Sequence, residues 1–203
     1  MRYLFIISFF IVSLSKSLLA QNGDSVKTIV VQILHGSKPN RHMHAYKTLG
    51  GYYGGHVVIQ IDSFVYGFNF FGQKVHPVPY RKHRKGIYEK QNIHQWNKQV
   101  ADDEVTSFYI PVTKEKYERL KDTYESYYLN CPHDYAFFGM RCAASAYWML
   151  GKAGVIKESS RRKSIIHSFH PKMLRKKLVR LAKRNKFRIT EQKGNNNRKW
   201  EGV

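Results

Sequence analysis

Apolar and polar positions alternate between two regimes along this chain. Val26–Leu34 and residues 54–62 (Gly-Gly-His-Val-Val-Ile-Gln-Ile-Asp) are short, β-branched and nearly continuous in apolar character, so each predicts a buried strand. Residues 64–71 predict a third strand, joined to the second by a tight Asp62-Ser63 turn, and residues 106–112 a fourth, closed by Pro111. The period changes after Thr113. Tyr117, Leu120, Tyr124 and Tyr127 fall on one stripe of a helix over residues 114–129, with Thr113 as its N-cap and Asn130-Cys131-Pro132 as its stop. A second helix opens at Cys142 and ends at Gly151 and Gly154. A third, basic and amphipathic, runs from Pro171 to about Asn185 with Met173, Leu174, Leu178, Leu181 and Ala182 as its apolar positions. Residues 186–191 read as a last strand. Residues 72–103 read as a surface excursion anchored by Tyr88 and Trp96, and 157–170 as irregular basic chain. Interspersed strands and helices of this kind make an α+β fold, and no internal repeat is present.

The first twenty residues change the cellular picture. Arg2, the apolar run from Leu4 to Leu14 and the small Ala20 have the order of a secretory signal peptide, too short and too interrupted by Lys16 to span a bilayer. The expectation is an exported protein, periplasmic or extracellular, that begins near Gln21. Its organisation is then a signal peptide over 1–20, an α+β domain over 21–156 and a basic extension over 157–203. Removing Arg2 and Lys16 lowers the formal charge of +21 to +19, and residues 151–203 hold 17 Lys/Arg against Glu158, Glu191 and Glu201, leaving +14 there. Such a tail favours an anionic membrane or envelope polymer as partner; export makes nucleic acid the poorer fit. The bland reading of the 171–185 helix is that its apolar stripe packs on the domain and its charges are solvated.

Candidate chemistry centres on Cys142. A thiol at a helix N-terminus lies beside unpaired N–H groups, and the small Ala143, Ala144, Ser145 and Ala146 let that helix approach a sheet closely. His56, at the head of its strand, is the natural proton acceptor. A third polar group should orient the imidazole; Asn69, Tyr66 and Asp62 are the candidates, and Asn69, flanked by aromatic residues, is preferred. The Cys142 N–H would serve as an oxyanion donor. The competing use of this cysteine is a disulfide with Cys131, the only other one in the chain. His42 and His44 alternate in a polar loop without the further ligands zinc needs, so neither metal nor cofactor is expected.

The run Gly54-Gly55-His56-Val57-Val58-Ile59-Gln60-Ile61-Asp62, followed by Pro132-His133-Asp134-Tyr135-Ala136-Phe137-Phe138-Gly139-Met140-Arg141-Cys142, resembles the circularly permuted NlpC-type branch of papain-like cysteine hydrolases. The mature chain is also similar to exported proteins of Bacteroidetes-type bacteria, down to the Pro171–Lys176 segment and Arg198-Lys199-Trp200-Glu201. The resemblance implies an antiparallel half-barrel sheet packed on the cysteine-bearing helix, Cys142 as nucleophile and His56 as base. Tyr135, Asp134 and Gly55 would then line the substrate site. It further implies amide or acyl chemistry on peptides, peptidoglycan stems or acyl groups. His133 stands before Asp134 where the related pattern often has Tyr, and no motif fixes the third polar residue.

Overall fold

The computed structural model describes residues 25–35, 55–72, 75–79 and 86–194. The signal segment, His42, His44, the glycines before Gly55 and the Arg198–Glu201 stretch lie outside them. Six strands form one wholly antiparallel sheet in the order β4-β3-β2-β1-β5-β6. They are β1 (Val26–Leu34), β2 (His56–Ile61), β3 (Phe64–Phe70), β4 (Gly86–Asn92), β5 (Val105–Thr113) and β6 (Arg188–Gln192). Five helices accompany them: α1 (Ile93–Gln99), α2 (Lys114–Leu129), α3 (Cys142–Lys152), α4 (Arg161–His167) and α5 (Pro171–Asn185).

The period-2 alternation of the strands divides the interior in two. Ile29, Val31, Ile33, Val57, Ile59, Ile61, Tyr66 and Phe68 face the large core under α2, α3 and α5. Their neighbours Leu34, Val58 and Val65 face a smaller core closed by Trp96 of α1. Helix α3 lies over β2 and β3, while α5 covers β1, β5 and β6. The apolar stripe of α5 is consumed in this packing, since Leu174, Leu178 and Ala182 are buried.

Three expectations require correction. Residues 72–103 are more than a surface excursion, because β4 and α1 lie within them and Trp96 is only 2% exposed. The sequence pattern hides the strand because Lys90 stands where an apolar residue belongs; its ammonium pairs with Glu125 of α2 at 2.6 Å instead. Within 157–170, Ser160 caps α4 by accepting the Lys163 N–H. Pro111 does not close its strand either. It pairs opposite Thr28 inside β5, beyond the stretch that β6 covers, where β5 is an edge on that side and a proline is tolerated. Among the described residues no helix is long and apolar enough to cross a membrane.

Candidate functional site

Helix α3 begins with no side-chain cap on its first turn, and the site is assembled from the groups that take over that task. The Cys142 sulfur, 5% exposed as a residue, takes hydrogen bonds from the Ala143 and Val57 backbone N–H groups and from the Tyr135 hydroxyl. The Tyr135 oxygen in turn accepts the Cys142 N–H. Its ring is fixed by Phe68 and Phe70, with centroids 5.2 and 5.7 Å away. Buried Ala143, Ala144, Ser145 and Ala146 bring the helix down onto the sheet, and the Ser145 hydroxyl meets that of Tyr88 at 2.7 Å.

The amide that meets the sulfur belongs to the His56–Val57 peptide bond. Strand N–H groups point within the plane of a sheet, and the β2–β3 ladder starts only at Val58↔Gly67, leaving that end open to the thiol. The His56 ring leaves the strand on the opposite face. Its Nε2 would be 3.0 Å from a Cβ at Gly67, which would also touch Val58, and its centroid is 6.3 Å from that of Trp96. Gly67 therefore provides the room the imidazole occupies. Continuing the register from Val58↔Gly67 by two residues brings Asn69 to the same face and the same end as His56. The Asn69 amide donates to Glu89 at 2.6 Å.

Electrostatics keep both titrating groups neutral. Burial pushes the Cys142 thiol up, against the pull of Arg141 and the three donors. Burial likewise brings the His56 imidazole down to about 4, so it is an uncharged proton acceptor at neutral pH. The thiol and the imidazole are thus not a resting ion pair.

The remaining expected residues divide. Gly55, with φ of 80°, makes the left-handed turn into β2 that a side chain would strain. Asp134 is buried and engages His76, Nε2 to Oδ1 at 3.0 Å, while its neighbour Tyr135 alone reaches the thiol. Asp62 and Tyr66 are excluded as orienting groups. Asp62 closes the hairpin at the far end of β2 and binds Tyr117 and Lys121, and Tyr66 donates to Glu125. Cys131 and Cys142 are not joined to each other, Cys131 donating to the His133 carbonyl, so the disulfide alternative is not formed.

Two participants went unnoticed in the sequence. Arg141, at the N-cap, stacks its guanidinium 3.8 Å from the Phe169 ring centroid and donates to the Phe169 carbonyl. His76 comes from the supposed excursion, and nothing local marks either as adjacent to the site. Among the described residues no grouping of His, Cys, Asp and Glu could hold a metal ion. Comparison with protein families, with curated proteins and with solved structures gave no match to this chain.

Proposed function

We propose that the protein is an exported thiol hydrolase of papain-like, permuted NlpC type. Cys142 attacks the carbonyl carbon of an amide or ester in a peptide, a peptidoglycan stem or an acyl group. The observation that carries this reading is the Cys142 sulfur at the head of α3, bound to the His56–Val57 amide where the β2–β3 ladder stands open. For this the His56 ring, which lies over Gly67 on the opposite face, must swing round the open end of β2 to the thiol, where it takes the proton and returns it to the departing amine or alcohol; Asn69 stands beside its resting position as the positioning neighbour. Water then cleaves the thioester, releasing the acid and restoring the thiol. The Cys142 N–H and the Tyr135 hydroxyl, which at rest bind the Tyr135 oxygen and the sulfur, turn to the oxyanion as it forms.

Acetyl transfer from p-nitrophenyl acetate, located by peptide mass spectrometry, tests the reading. The expected adduct is on Cys142, absent in Cys142→Ser and formed about a hundredfold more slowly in His56→Gln. Acetylation confined to Cys131, or an unchanged rate in a folded His56→Gln protein, would overturn it. Tyr135→Phe keeps the ring packing and isolates the contribution of the hydroxyl.

A further inference from the structure

A groove of about 830 Å³ runs between α5 and the loop that follows α3. Its apolar wall is Val155, Ile156 and Leu181, and Lys157, Lys177, Arg180 and Arg184 bring four positive charges to it. No Asp or Glu lines it. Among the described residues none of these four cations forms an ion pair. The Lys177 ammonium instead lies 4.3 Å from the centroid of the Tyr147 ring. Its partial burial and the nearby Arg180 charge both disfavour its protonated form. A helix C-terminus accounts for Arg184, which stands in the last turn of α5. It does not account for Lys157, on another segment, or for Lys177 two turns earlier.

We propose that this groove binds the phosphate-bearing headgroup of an anionic amphiphile, with the first carbons of its acyl chain against Val155, Ile156 and Leu181. Four cations lining one groove suit a phosphate and its oxygens. The adjacent apolar wall selects an amphiphile over a bare anion, which would leave that surface wet. The groove lies at the C-terminal end of α3 and Cys142 at the other, 11 residues or about 15 Å apart. Its occupancy is therefore independent of whether Cys142 is reactive.

The full chain is titrated calorimetrically at low salt with dihexanoyl phosphatidylglycerol below its micelle concentration. Saturable one-to-one binding is expected, weakened about fivefold in Arg180→Gln and about 25-fold in Arg180→Gln/Arg184→Gln. Lys176→Gln/Lys183→Gln removes the same charge from exposed positions of the same helix outside the groove and should leave the affinity within about twofold. Equal weakening by that control pair would make the effect one of net charge and overturn the site. So would equal binding of dihexanoyl phosphatidylcholine, or inorganic phosphate binding as tightly as the lipid. Binding to phosphatidylglycerol vesicles without any binding of the soluble lipid would assign the attraction to the membrane surface as a whole, against the groove. Thermal melts of every variant establish that each is folded.

Discussion

The two ends of α3 stand beside opposite kinds of chemistry. At its N-terminus the Cys142 thiol is enclosed by Tyr135, Val57 and Ala143, and burial forces it and the His56 imidazole into their neutral forms. At its C-terminal end four cations remain at a groove with no carboxylate in its walls. Enclosure makes position and proton affinity the controlling quantities at the first end. Openness makes charge, and therefore ionic strength, the controlling quantity at the second. Substitutions at the two ends should accordingly fail in different ways.

The largest expected effect is on stability at the enclosed end. Tyr135→Ala removes a buried ring packed on Phe68 and Phe70 and should cost about 3–5 kcal/mol in denaturant unfolding. A cost below about 1 kcal/mol would mean that this ring is not part of the core. Next comes the pH dependence of folding. The folded His56 pKa is about 4 against an ordinary 6.5, so its neutral form contributes fully above 6.5 and stability is lost as pH falls towards 4. That loss is about 3 kcal/mol by linkage, and a folded His56→Gln protein should show a correspondingly shallower acid limb. An unchanged slope would put the imidazole in contact with water.

The same burial shapes the kinetics. Acetylation of Cys142 should vary less than about twofold between pH 5.5 and 8, because His56 stays neutral and the thiol stays protonated throughout. An inflection near 6.5 that disappears in His56→Gln would reveal an exposed base and erase the contrast between the two ends. The smallest effect belongs to the open end. Arg184→Gln, exposed and without an ion pair among the described residues, should leave stability within about 0.5 kcal/mol. A larger loss, seen by chemical denaturation, would show that the groove's charges hold the fold together.

Strands with unbroken apolar patterns were legible because burial on both sides of a sheet leaves no room for polar side chains. β1 and helices α2 and α5 appear at the expected bounds. β4 was hidden for the converse reason: Lys90 and Glu89 satisfy themselves across space, with Glu125 and Asn69, and so dilute the strand's alternation. Of the candidate site less was legible: Cys142 heads its helix and Tyr135 reaches its sulfur, but the His56 ring lies on the other face of the sheet, over Gly67. The engagement of Asp134 with His76, and the stacking of Arg141 on Phe169, join segments whose sequences give no sign of each other.

The sequence by itself determined most of the strands, the β2–β3 hairpin, the helix that Cys142 opens and the accumulation of positive charge towards the C-terminus, because periodicity, turn chemistry and charge are local properties. Only the tertiary structure decided that the thiol binds the His56–Val57 amide while the imidazole lies over Gly67. It also decided that Cys131 turns to its own carbonyl partner and that four of the many cations converge on one groove. Those outcomes depend on strand register, on which face each residue takes and on how closely helices settle onto the sheet. Register and packing are fixed by contacts between residues far apart in the chain, and no local pattern encodes them.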